Sequence, residues 1–181
     1  MDDYFCTLTL NITLMAVEQS TQYIFLVDDE PIQNEMLKDY LSDRFEYKIK
    51  TYDSGEGAIK DIQLNPQIIV LDYHLNAHLP NAQNGVEVLK MIMEMQPTAK
   101  VIMLSGQDKI DVAVDSMKYG AYDYVIKGET AFARMENIIN NIDELTNIKA
   151  ANKTYKAIIM ALIVGLVFII MLSFFMVMRL R

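Results

Sequence analysis

The sequence is poor in residues that build covalent or metal-bound frameworks. Cys6 is the only cysteine among 181 residues, which leaves no internal disulfide and no thiolate metal knuckle, and fits a reducing compartment. Two histidines occur, His74 and His78. Four positions apart, with no helical pattern to align them, they are weak grounds for imidazole ligation of a metal. Positive charge is scarce as well: 16 Lys and Arg against 24 Asp and Glu give a formal charge of −8. A nucleic-acid partner is not expected, because phosphate backbones are bound chiefly through clustered Lys and Arg. The first residues include Asp2 and Asp3 where a signal peptide would carry a cationic region before an apolar run. No repeat of roughly 20–50 residues is visible.

What the sequence does have is one long apolar run. Residues 157–178 contain no charge, and as a helix rising about 1.5 Å per residue they match a hydrocarbon core of roughly 30 Å. Lys153 and Lys156 precede the run, and Arg179 and Arg181 follow it, where their heads reach lipid headgroups. The sequence therefore predicts a single-pass transmembrane helix over 157–178 with a short tail, 179–181. Ala157, Ala161, Gly165 and Ser173 fall on multiples of four, a small-residue face that would allow two copies to pair as a homodimer. Residues 1–22 read as a leader. Leu8, Leu10, Ile12 and Leu14 alternate with polar residues, which fits an added edge strand, a disordered leader, or sequence upstream of a start at Met15.

Residues 23–148 alternate short apolar runs with segments of helical period, the pattern of a parallel sheet covered by helices. Strands are predicted at 23–27, 47–52, 67–71, 100–104 and 122–126. Pro31 suits a first helical turn, with Ile32, Met36, Leu37, Tyr40 and Leu41 as the core stripe. Asp53 and Glu56 have capping-box spacing before Ala58, Ile59 and Ile62. Gly85 and Pro97 bracket a third helix, and Gly120 stops a fourth. The fifth carries Met135, Ile138, Ile139, Ile142, Leu145 and Ile148 as core positions. A polar linker, 149–156, leads to the membrane helix, and no space remains for an output domain.

Chemistry gathers where strands end. Strand one is followed by Asp28, Asp29 and Glu30, strand three by Asp72, strand four by Ser105 and strand five by Lys127. Ligands of open α/β sheets bind outside the carboxyl ends of the strands. If strands one and three are neighbours, Asp28, Asp29 and Asp72 converge, and three carboxylates together call for a cation. A hard, oxygen-seeking ion such as Mg²⁺ fits. One carboxylate can then attack phosphorus, while Lys127 and the hydroxyl of Ser105 stabilise charge on the transferring oxygens. Singly, each residue reads as a helix cap, a turn former or a solvated charge. Jointly, four reactive types around one crevice do not.

These motifs resemble the receiver domain of bacterial response regulators, the phosphoacceptor half of two-component systems. Val27-Asp28-Asp29-Glu30-Pro31 is similar to the family's acidic pair and Leu71-Asp72-Tyr73 to its phosphorylated aspartate. Leu104-Ser105-Gly106 resembles its switch hydroxyl, and Tyr124-Val125-Ile126-Lys127 its aromatic switch and lysine. The resemblance implies a flavodoxin-like, doubly wound α/β fold with five parallel strands in the order 2-1-3-4-5. It implies Mg²⁺ held by Asp29, Asp72 and the backbone carbonyl of His74, with Asp28 acting through water. It also implies phosphotransfer to Asp72 from a histidine kinase or phosphotransfer protein, and movement of Ser105 and Tyr124 that reshapes the face of helix four, strand five and helix five. His74 and Gln107, two positions beyond Asp72 and Ser105, would border the acyl phosphate.

The chain expected is thus a phosphoacceptor signalling domain rather than an enzyme, with only self-catalysed phosphotransfer and dephosphorylation. It would sit in the cytoplasm on a bacterial inner membrane and act through a downstream protein. The alternative is a degenerate receiver that docks at the membrane without phosphorylation. An aspartyl phosphatase would place Asp-x-Asp at strand one, where adjacent aspartates stand, and a flavin site would need a Ser/Thr-rich loop after that strand. Three departures from the family pattern stand out: Gly128 follows Lys127 in place of a cis-proline, the 72–85 loop is longer than usual, and a membrane helix replaces an output domain.

Overall fold

The computed structural model describes residues 22–75, 84–106 and 110–179. The alternating leader segment, His78, Gln107 and most of the extended loop after Asp72 lie outside the described residues. The chain divides into two compact units, Met1–Met135 and Glu136–Arg181.

The first unit is built on five strands: β1 Tyr23–Val27, β2 Lys48–Tyr52, β3 Ile68–Asp72, β4 Lys100–Ser105 and β5 Asp123–Ile126. All pair in parallel, in the order β2-β1-β3-β4-β5. This is the order expected from the sequence, with each predicted strand found to within about one residue. β1, β3 and β4 are buried almost throughout, as parallel strands covered on both faces must be. Alternation along β1 sends Phe25 and Val27 to one face and Ile24 and Leu26 to the other.

Helices α1 (Pro31–Ser42), α2 (Gly55–Lys60), α3 (Gly85–Met95) and α4 (Ile110–Lys118) connect the strands. Val88, Leu89 and Ile92 of α3 join Phe25, Ile69 and Met103 in one core cluster, and each such fully buried side chain contributes about 1.5–3 kcal/mol. Gln33 and Leu37 of α1 face Leu26, Val70 and Leu104 on the opposite side. Two expectations are corrected here. Ile32 and Met36 are exposed, whereas Leu37 and Leu41 are buried as expected and Asn34 is buried on the same side. Asp53 and Glu56 form no capping box, since Ser54 is the N-cap of α2 and makes no side-chain cap bond. The capping box is at α3, where Asn84 and Glu87 exchange side-chain to backbone bonds of 3.0 Å. α4 is thinly anchored: its one buried residue is Ser116, while Ile110, Val114 and Met117 are exposed.

α5 spans Ala131–Arg179. Its residues from 136 onward make up the second unit. Ile138, Ile139 and Ile142 are buried, whereas Leu145 and Ile148, expected in the core, are exposed. Residues 149–156, read as a linker, are helical and run without a break into the apolar segment. Among the described residues one helix is long and apolar enough to cross a membrane, and none of the described side chains in its apolar stretch is buried.

Candidate functional site

The turn from β1 into α1 is fixed from within. The Asp28 backbone N–H donates to the Tyr52 carbonyl at 3.1 Å, and the Glu30 N–H donates to Asp28 Oδ1 at 2.9 Å. Asn34 Nδ2, buried one turn into α1, donates to the carbonyls of Asp28 at 2.9 Å and Tyr52 at 3.0 Å. It ties the ends of β1 and β2 together and was missed in the sequence; the available signal was a polar residue at helical spacing with Leu37 and Leu41. Asn34→Ala should lower stability by about 1–3 kcal/mol, the cost of buried carbonyls losing their partner. An unchanged urea midpoint would show that the bridge is incidental.

The strand order brings β1 beside β3, and the carboxylates converge as expected. Oxygens of Asp28, Asp29 and Asp72 all lie within 4.8 Å of one another. Lys127, just past β5, reaches in from the other side: its Nζ donates to Asp28 Oδ2 at 2.7 Å and lies 3.2 Å from Asp72 Oδ1. One ammonium thus meets two of the three carboxylates. Asp72 is 2% exposed, and burial pushes its carboxyl above the ordinary range. The Lys127 charge and the His74 backbone N–H pull it back, the Asp28 charge adds to the rise, and the net direction is upward. Burial would lower the Lys127 pKa, but its hydrogen bond to Asp28 and the charges of Asp72 and Asp28 outweigh that and raise it. The ammonium is therefore held firmly charged.

Ser105, fully buried, ends β4 next to the strand that carries Asp72. Its carbonyl accepts from the Lys127 backbone N–H at 2.7 Å, so Ser105 and Lys127 share one backbone junction. Tyr124 is half-buried and packs on the cluster that contains Met103 and Ala121. The His74 ring meets Tyr73 edge-on at 4.7 Å. Gly128 follows a trans bond, since no cis peptide occurs among the described residues, and a Cβ there would meet nothing within 4 Å. Gly85 is a second residue whose role the sequence did not disclose. A Cβ on it would lie 2.3 Å from the Asp72 carbonyl oxygen and 2.8 Å from Tyr73 Cα.

The donor set suits a hard divalent cation. It is all oxygen, it carries more negative charge than Lys127 neutralises, and Asp29 Oδ2 is buried without a hydrogen-bond partner among the described residues. Zinc-type nitrogen or sulfur ligands are absent from this cluster.

The profile of the response regulator receiver domain matches residues 24–140. The chain belongs to this family. The nitrogen assimilation regulatory protein NtrX of Azorhizobium caulinodans is 34% identical over 105 residues, which are 58% of this chain and 22% of that protein. The chemotaxis protein CheY of Listeria monocytogenes is 31% identical over 105 residues, 58% of this chain and 84% of that protein. The crystal structure of the receiver domain of NtrX from Brucella abortus superposes with a TM-score of 0.59 at 28% identity, covering 67% of this chain and 98% of that one. The chain therefore spans about a fifth of the NtrX relative and most of the CheY relative. Receivers are signalling domains of two-component systems, and their acidic pocket binds Mg²⁺.

Proposed function

We propose that this receiver accepts a phosphoryl group on Asp72 from a histidine kinase or phosphotransfer protein, anchored to a membrane by residues 157–178, and signals through a partner protein. The observation that carries this reading is the convergence of Asp28, Asp29 and Asp72 with Lys127 at the carboxyl ends of β1, β3 and β5.

In that reading an Asp72 oxygen attacks the phosphorus of a phosphohistidine, the P–N bond breaks, and an acyl phosphate forms. Asp29, Asp72 and the His74 carbonyl would hold Mg²⁺, with Asp28 acting through water, and the ion, when bound, supplies charge neutralisation for the phosphoryl oxygens. Lys127, already fixed by Asp28, provides a second positive charge without reorganisation. Ser105 offers a hydroxyl to the new phosphoryl oxygens, and Tyr124 follows it, altering the face of α4, β5 and α5. Anchoring is supported by the length and uniform apolarity of the exposed segment of α5, and a domain on the side of Lys149, Lys153 and Lys156 would be cytoplasmic.

Incubating the purified chain with a small phosphodonor and Mg²⁺, then reading intact mass and peptide maps, tests the phosphoacceptor reading. The expected result is one added phosphoryl group on the peptide that contains Asp72, absent when Mg²⁺ is chelated. A chain that stays unmodified while a known receiver is labelled in parallel would leave the docking-module reading in its place.

A further inference from the structure

Leu145, Ile148 and Tyr155 of α5 are 48%, 57% and 65% exposed, and they are the only large apolar side chains in the polar stretch between Asp143 and Lys156. Counted in heptads from Leu145 as position a, Leu145, Asn152 and Ile159 occupy a positions, and Ile148, Tyr155 and Leu162 occupy d positions. The seam therefore begins in the polar stretch and continues in register into the apolar segment, along one unbroken helix. A spacing of three and four that persists in this way makes a left-handed seam for a second helix. A single asparagine at an a position is the usual device for selecting a two-stranded parallel pair at some cost in stability.

The charges flanking the seam say which helix fits. Glu144 falls at position g and Lys149 at position e, and in a parallel pair the g residue of one helix meets the e residue five positions later in the other. Glu144 therefore faces Lys149 of the partner subunit, and the reciprocal pair forms by symmetry. Both residues are exposed in the single chain. An antiparallel pairing would break this match.

We propose that residues 145–155 pair with the same residues of a second copy of this chain as a short parallel coiled coil. Its parallel orientation rests on the proposed anchoring of residues 157–178. Two heptads alone are marginal in water, and confinement to one membrane surface supplies the local concentration that makes the pairing stable. This seam is distinct from the small-residue face of Ala157, Ala161 and Gly165, which occupies positions f, c and g.

The test uses the full-length chain in membranes, with Cys6→Ser as background and one cysteine introduced at a time. Oxidation should give cross-linked dimer for Leu145→Cys, Ile148→Cys, Asn152→Cys and Tyr155→Cys, and little for Asn147→Cys, Ala150→Cys and Thr154→Cys. Cross-linking without that phase, or none on the seam, overturns the coiled coil, including the case where only Ala157→Cys and Ala161→Cys respond. Lys149→Glu on the Ile148→Cys background should lower the cross-linked fraction about five-fold, from two repelling pairs, and adding Glu144→Lys should restore it; failure of the rescue overturns the assigned register. Carbonate extraction of the same preparation reads the anchoring separately: a chain released to the supernatant that still cross-links on the seam removes the anchor and keeps the coil.

Discussion

Replacing Asp72 with asparagine should abolish phosphoryl incorporation and at the same time make the metal-free protein more stable, by roughly 1–2 kcal/mol. The two effects have one origin. Asp72 is buried, its carboxyl is pushed upward chiefly by that burial, and the neighbouring Asp28 charge adds to it. An acid whose folded-state pKa lies above its unfolded value binds more protons when folded. Its ionisation therefore works against the fold, and stability falls as pH rises from the ordinary carboxylate range through the raised value. The amide of the Asp72→Asn variant cannot ionise, so its urea midpoint in chelator should lose that part of the pH slope and exceed wild type at neutral pH. Lys127 keeps Asp28 as its partner at 2.7 Å, so the substitution leaves no unpaired ammonium. Mg²⁺ should raise the wild-type midpoint more than that of the variant, because a hard cation binds the ionised cluster. A variant less stable than wild type in chelator at neutral pH would contradict this account of the cluster.

The largest structural loss is expected from Gly85→Ala. The added methyl would sit 2.3 Å from the Asp72 carbonyl oxygen and 3.1 Å from its carbonyl carbon, and both are backbone atoms of a central strand that has no room to retreat. The Gly85 N–H also donates to the Tyr73 carbonyl at 3.0 Å, so the start of α3 cannot swing away without breaking that bond. Overpacking of this kind costs about 3 kcal/mol. A displacement of about 1 Å at the nucleophile would slow phosphotransfer on the order of 100-fold. Gly55→Ala is the informative comparison. Its Cβ would also come within 2.3 Å of an atom, but that atom is Cγ2 of the Val88 side chain and not the backbone of the strand that carries Asp72. It should lower the urea midpoint while leaving the labelling rate of the folded fraction near wild type. Equal loss of rate in both variants would show that the close approach at Gly85 does not position Asp72.

Much of this fold is written in local pattern. The runs 23–27 and 67–71 are unbroken Ile, Val, Leu, Phe and Tyr except for Gln67, and burial on both faces of a parallel sheet selects that composition. The acidic and basic residues were legible because they follow strands directly, and strand order alone then assembles them. What was not legible depends on contact between distant segments. Asn34 reads as a polar residue on an exposed face until the ends of β1 and β2 are seen to need a bridging donor. Gly85 reads as a helix start, and only the approach of α3 to Asp72 shows why no side chain is admitted. Ile32 and Met36 are four apart, as Leu37 and Leu41 are, but the two pairs lie on different sides of α1, and spacing within a pair does not say which side is covered. Leu145 and Ile148 continued the periodicity of a core helix, and periodicity does not say whether the seam is filled by the same chain.

The thin anchoring of α4 has a consequence for how the domain breathes. A helix that hides Ser116 and leaves Ile110, Val114 and Met117 in water gives up little apolar burial when it shifts or frays. Its amide protons should exchange with solvent well before those of α3, which buries Val88, Leu89 and Ile92. Under the proposed phosphorylation of Asp72, a shift of this helix would give up little apolar burial.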